Sequence, residues 1–239
     1  MRFGGHVAVD RVSCAFRAGV TAIVGPNGAG KTTYFNLISG QLAASAGRVR
    51  LFGEDITRLS APQRTKRGIG RAFQLTNLFP RLSVLENVRL AVQARANMGK
   101  SLLSTWRSHV ELLEKAAFFL ERVALADKRD TPAAALPHGD QRKLEVAILL
   151  ALEPEVFMFD KPTAGMSVDE VPTVLQLIED IRRKGDKTIL LVEHKMDVVR
   201  SLADRIIVLH QGELVADGAP AEVIASPVVQ EAYLGISRG

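Results

Sequence analysis

Cysteine is almost missing from this chain: Cys14 stands alone among 239 residues. No internal disulfide can form, which excludes a disulfide-stapled scaffold and fits a reducing compartment. Long apolar runs are missing too. None approaches the about 18 to 20 residues needed to span a bilayer, and Met1 to Asp10 holds no apolar core of signal-peptide length. The expectation is a soluble protein that meets a membrane only through a partner. Nor is there a long run of Lys and Arg. The formal net charge of +5 is mild, and without a clustered basic face no nucleic-acid partner is expected. The most basic-rich stretch, Gln63 to Arg71, is broken by Thr65 and two glycines and reads as a solvated loop. Internal repeats and low-complexity tracts are also absent.

What is there is an ordinary globular balance, 47% hydrophobic and 24% charged residues, long enough for one large domain or a domain with an inserted lobe. Phe3 to Phe16 alternates loosely, with Val7, Val9 and Val12 apolar, and suggests short antiparallel strands. Thr21 to Val24 is a brief apolar strand running into a glycine-rich turn. Thr32 to Ser39 reads as a helix stopped by Gly40, and Val49 to Phe52 as a strand. From Val84 to Leu125 the period becomes helical: Leu85, Val88 and Val92 fit one helix, and Trp106, Val110, Leu113, Ala117 and Leu120 a second. Trp106 is expected to pack against a neighbouring helix. Val156 to Phe159, Thr188 to Val192 and Arg205 to Leu209 are strands apolar on both faces, the kind buried in a parallel sheet. Val171 to Arg183 is an amphipathic helix. Gly212-Glu213 and Asp217-Gly218 mark turns, and Pro220 and Pro227 punctuate short terminal helices. Strands alternating with helices argue for an α/β fold with a mostly parallel core sheet, an antiparallel β subdomain and an inserted α-helical lobe. The lobe is expected over about 74–151, and the core over 1–73 and 152–239.

One motif carries specific chemistry. Gly25-Pro26-Asn27-Gly28-Ala29-Gly30-Lys31-Thr32 matches the phosphate-binding loop pattern and lies between a predicted strand and a predicted helix, the context that confirms it. Glycines let the backbone wrap closely with its N–H groups pointing inward. The following helix offers its positive end to phosphates. Lys31 is placed to reach the β- and γ-phosphates and the Thr32 hydroxyl to ligate Mg²⁺; Thr33 is a secondary contact. The strand before Asp160 puts a carboxylate at the sheet edge where ligands bind, positioned to hold Mg²⁺ through water. These two elements define a P-loop nucleotide-binding protein without saying which.

Further motifs narrow the class. Leu136-Pro137-His138-Gly139-Asp140-Gln141-Arg142-Lys143 opens an apolar helix and resembles the signature of ABC transporter ATP-binding subunits. Gln74 falls where that family's Q-loop glutamine belongs, Pro162 to Met166 resembles the segment entering its D-loop, and His194 follows a buried strand as its switch histidine does. Phe3, before Gly4-Gly5, corresponds to the aromatic that stacks on adenine. The ordered set covers essentially the whole chain. Phe73 to Asn87, with Leu78-Phe79-Pro80 and Leu85-Glu86-Asn87, and Leu144-Glu145-Val146-Ala147 resemble the branched-chain amino acid importers in particular.

The resemblance implies an ATP-dependent import subunit on the cytoplasmic face of the cell membrane, using ATP and Mg²⁺. It implies a homo- or heterodimer in which each ATP lies between the P-loop of one subunit and the signature of the other. The partners implied are an integral membrane permease and, indirectly, a solute-binding protein. Gln74 then senses the γ-phosphate and shares the Mg²⁺ site with Thr32 and Asp160. His194 contacts the γ-phosphate; a histidine is able to donate a hydrogen bond even when neutral. His138 fills a turn or contributes to the signature, and Arg142 and Lys143 read as solvated helix residues.

The sequence also departs from that pattern. Lys161 stands where the family places the glutamate that orients or deprotonates the attacking water. An ammonium of ordinary pKa cannot accept a proton at neutral pH, so hydrolysis at this subunit's own site is expected to be impaired while ATP binding survives. A non-hydrolysing ATP-binding regulatory module is the alternative. Pro137 replaces the signature serine and offers neither hydroxyl nor N–H. Ser167 stands where many members carry aspartate. A first strand before Phe3 is missing or shortened, which is expected to leave the sheet open nearby.

Overall fold

The computed structural model describes residues 1–72, 78–96 and 106–234. In chain order the elements begin with the paired strands β1 (Arg2–Phe3) and β2 (His6–Val7), followed by β3 (Gly19–Val24) and helix α1 (Lys31–Ser39). A small hairpin, β4 (Arg50–Leu51) and β5 (Glu54–Asp55), leads to α2 (Ala61–Lys66) and β6 (Ile69–Ala72). Then come α3 (Val84–Arg95), α4 (Trp106–Arg122) and α5 (His138–Ala151). The alternation resumes with β7 (Val156–Asp160), α6 (Val171–Arg183), β8 (Thr188–Val192) and α7 (Met196–Leu202). The chain closes with β9 (Arg205–His210), β10 (Glu213–Gly218), α8 (Pro220–Ala225) and α9 (Pro227–Leu234).

The chain forms two compact units. The first comprises Met1–Ile69, Glu155–Lys161 and Lys184–Gly239, and the second Gly70–Pro154 and Pro162–Arg183. The second unit thus takes in α6 and the segment before it as well as the three preceding helices.

In the first unit the strands stand in the order β10-β9-β3-β8-β7. β3 pairs in parallel with both β8 and β9, and β8 with β7. Among these five strands the β9–β10 pair alone is antiparallel, with an irregularity between Leu214 and Ala216 that bends an edge strand. The parallel strands are apolar throughout because both faces are covered. One face packs Ile23, Phe35, Ile56, Met158, Leu190 and Ile207; the other packs Ala22, Val24, Val199, Ile206, Val208 and Val223.

Two sequence expectations change here. Residues 10–18 form no strand, and beside them lies a cavity of about 1170 Å³ lined by Tyr34, Leu37, Val156 and Leu190 among others. The alternation of Phe3 to Phe16 survives only as β1 and β2, because a two-residue ribbon has too few ladder bonds to extend itself. The stretch from Gln63 is not a solvated loop. It lies partly in α2, started by a capping box between Ser60 and Gln63, and its Arg64 is 2% exposed. The guanidinium donates to the carbonyls of Leu37, Ile38, Thr57 and Leu59 at 2.6, 2.7, 2.9 and 3.1 Å. It thereby caps the last turn of α1, whose carbonyls have no helical partner.

In the second unit α4 presents Leu112, Ala116 and Leu120 inward, an i, i+4 stripe. Arg122 binds Asp180 of α6 at 2.7 Å. The Leu85-Glu86-Asn87 run does more than open a helix. Buried Asn87 accepts from Phe79 N–H at 2.8 Å and donates to the carbonyls of Phe79, Leu82 and Ser83, pinning the turn ahead of α3. The side chain of Trp106 lies outside the described residues.

Candidate nucleotide site

The phosphate loop joins β3 to α1. Gly25, Gly28 and Gly30 have φ of 148°, 80° and 94°, a region that L side chains rarely adopt. At two of them space is decisive as well. A Cβ at position 25 would collide with the carbonyl oxygen of Leu209, and one at position 30 with that of Ala8. Position 28 has open space beside it, on an exposed stretch with Asn27, while Pro26 is half-buried and Ala29 is buried. α1 begins with Gly30 at its N-cap and no side-chain cap, so its first N–H groups are free of internal competition for an anion. Lys31, 8% exposed, donates to the carbonyls of Gly25 and Pro26 at 2.6 and 2.8 Å. Burial lowers its pKa, the nearby charge of Lys161 lowers it further, and Asp160 opposes both. The loop lysine therefore shares one electrostatic environment with positions 160 and 161. Thr32 is exposed and Thr33 half-buried in the first turn of α1.

Asp160 is the last residue of β7 and 6% exposed. Lys161 turns the chain at φ 53°, unusual for a residue with a side chain, and its N–H donates to the Val192 carbonyl at 2.8 Å. Its side chain is exposed. β8 lies between β3 and β7, and its last residue, Val192, is in register with Ile23 and Asp160. His194 follows two positions later and is exposed. Strand order and register thus bring the phosphate loop, Asp160, Lys161 and the His194 segment to the same edge of one sheet. The Thr32 hydroxyl and Asp160 carboxylate are hard oxygen donors of the type that Mg²⁺ takes alongside substrate phosphates. Gln74 and the side chain of Phe3 lie outside the described residues.

The signature-like residues belong to the second unit. Leu136 is buried, Pro137 and His138 are exposed, and Gly139 and Asp140 are buried in the first turn of α5. Pro137 suits that helix start, since it has no N–H to leave unpaired. Gln141 donates to the Leu136 carbonyl at 3.0 Å. Lys143 and Arg142 are not simply solvated. Lys143 binds Asp140 at 2.9 Å and Glu170 at 3.5 Å, and Arg142 reaches Glu145 at 3.3 Å. Lys128 also bonds Asp140. For Asp140, burial raises the pKa, but bonds to Lys128 and Lys143 outweigh it and hold the carboxyl below its ordinary value. Glu170 accepts from the Ser167 N–H and hydroxyl at 3.0 Å each, and its carboxylate covers Gly139 so closely that a Cβ there would strike it. Sequence reasoning missed Glu170; the Ser-x-x-Glu spacing of a capping box was the available signal.

A strand, a glycine loop and a helix, with an acidic residue ending a parallel strand of the same sheet, define a P-loop nucleotide-binding fold. The chain belongs to the ABC transporter family, whose model matches residues 9–164. A second model, for branched-chain amino acid ATP-binding cassette transporters, matches 213–237. The chain is 39% identical over 241 aligned positions to the high-affinity branched-chain amino acid transport ATP-binding protein LivG of Salmonella typhimurium, covering 98% of this chain and 94% of the relative. It is 38% identical, over 98% of this chain and 94% of the relative, to the corresponding BraF of Pseudomonas aeruginosa. A nucleotide-free ATP-binding cassette from an ABC transporter shares the fold at a TM-score of 0.81 and 30% identity, covering 100% of this chain and 96% of that one. The dimeric post-hydrolysis state of another cassette, bound to ADP and Pi, matches at a TM-score of 0.79 and 26% identity over 92% of this chain and 94% of that one.

Proposed function

We propose that this chain is the ATP-binding subunit that drives import of branched-chain amino acids through a membrane permease, acting as a dimer of such subunits at the cytoplasmic face of the membrane. The observation that carries this reading is similarity along nearly the whole chain to LivG and BraF, joined by the match at 213–237. ATP is held by Gly25 to Thr33, with Lys31 on the β- and γ-phosphates and Phe3 against the adenine. Thr32, Asp160 and Gln74 hold the Mg²⁺ that, when bound, offsets phosphate charge. His194 and Gln74 address the γ-phosphate. Leu136 to Gln141 serve the nucleotide of the facing subunit. Uptake of labelled leucine into vesicles carrying the cognate permease is expected to require this chain and to be competed by isoleucine and valine; competition by unrelated amino acids instead would overturn the solute assignment.

The same reading makes Lys161 the limit on turnover. The charge of Lys161 that Lys31 feels supports a second cation beside the phosphates, which would favour ATP binding, while no carboxylate stands at 161 to take a proton from water. Such help is worth about 10²- to 10⁴-fold in rate. Single-turnover hydrolysis is expected to rise by that order in Lys161→Glu, with ATP affinity little changed or weaker. Equal rates in the two proteins would contradict this. A facing subunit of different sequence would supply a competent second site; two identical subunits would turn over slowly. Persistent ATP binding without hydrolysis, even with partner and permease present, would favour the regulatory-module alternative.

A further inference from the structure

The end of β8 carries two chemistry-bearing residues in succession, and only His194 has been given a role. Val192 closes the strand, aligned with Ile23 on one side and Asp160 on the other. The next residue, Glu193, follows directly after the strand that lies between the one feeding the phosphate loop and the one ending at Asp160. Glu193 is 1% exposed. Its Oε2 accepts from the backbone N–H groups of His194 at 2.8 Å and Lys195 at 3.2 Å. The same oxygen faces Nδ1 of His194 at 3.6 Å. That gap is just beyond a hydrogen bond, and the imidazole side chain is 55% exposed. A carboxylate so deeply buried is costly.

We propose that Glu193 is a positioning residue for His194. Its carboxylate takes the Nδ1–H of the imidazole and leaves Nε2 as an acceptor turned toward the phosphate end of the loop. A carboxylate–histidine pair then handles the attacking water at a site where position 161 offers no carboxylate, the arrangement by which a third group orients a base in nucleophilic catalysis. The water oxygen forms a bond to the γ-phosphorus as the bridging P–O bond breaks and its electron pair leaves with ADP. One water proton passes to Nε2, and the Nε2–H so formed faces the phosphate product, which takes the proton back on release. The proposal rests on the nucleotide-binding reading above.

The test is a double-mutant cycle in the full-length chain, assembled with its dimer partner. Single-turnover hydrolysis and binding of a fluorescent ATP analogue are measured for wild type, Glu193→Gln, Lys161→Glu and the double variant. Glu193→Gln is expected to lower the rate about tenfold or more in wild type, but by less than about threefold beside Lys161→Glu, and to leave nucleotide affinity as it is in each of those two backgrounds. Glu193→Asp, which keeps the charge, is expected to recover part of the loss. Independently, ¹⁵N imidazole spectra of the nucleotide-free chain are expected to show the Nδ1–H tautomer for His194, assigned by its loss in His194→Gln, and to lose it in Glu193→Gln. Equal losses in both backgrounds, no loss in either, no measurable wild-type turnover, or an Nε2–H tautomer in wild type would overturn the proposal. Failure of wild type to bind the analogue would instead overturn the nucleotide-binding reading, and the proposal with it.

Discussion

In the proposed reading, position 161 limits the chemistry of this site through one side chain on an unusual backbone. The chain turns there at φ 53°, held by a bond to the neighbouring strand, so the turn itself does not depend on which side chain is carried. The lysine proposed to bind phosphate is Lys31, whose ammonium is desolvated and seated on two loop carbonyls. Those carbonyls hold it within reach of an arriving phosphate. Lys31→Met removes a charge-assisted contact of the kind worth about 1.5 to 3 kcal/mol, so ATP affinity is expected to fall about 10- to 100-fold. Calorimetric titration checks this, and an unchanged affinity would remove Lys31 from the site. Lys31 and Lys161 were both legible as residues. Their electrostatic coupling was not, because it comes from strands far apart in sequence that share one sheet.

Elements show where sequence reading succeeds and where it fails. β7, β8 and β9 were legible because strands covered on both faces carry an unbroken apolar signal. α2 was misread as a loop. Its six residues, Ala61–Lys66, bury an arginine, and a basic residue whose partners are backbone carbonyls leaves no pattern in the sequence. That arginine ties α2 to the end of α1. Arg64→Met is expected to cost about 2 to 4 kcal/mol, since four carbonyls lose a buried donor; urea unfolding measures it. The signature turn was legible as a motif, but its ion network was not, since Lys128 and Glu170 come from outside it. That network has a pH signature. The Asp140 carboxyl is held below its ordinary value, so its contribution is fully present above about pH 4 and fades as pH falls through the depressed value. Asp140→Asn is therefore expected to destabilise the protein at pH 7, and the gap to wild type is expected to close in acid. A gap that does not narrow at all as the pH falls below about 4 would contradict the pairing.

At the scale of the whole molecule, the ordered run of motifs made the family legible before any coordinates, and nearly full-length similarity to ABC transporter subunits supports it. The opening strands were less legible. Short two-residue pairs leave residues 10–18 without a partner strand, and a wide cavity lies beside them. In the proposed reading the molecule holds ATP firmly and the residue at 161 keeps it from being consumed. The direct measurement is to incubate wild type and Lys161→Glu with MgATP, isolate each protein rapidly, and identify the bound nucleotide. Wild type is expected to carry mostly ATP and the variant mostly ADP. ADP on both proteins, or nucleotide on neither, would contradict the account.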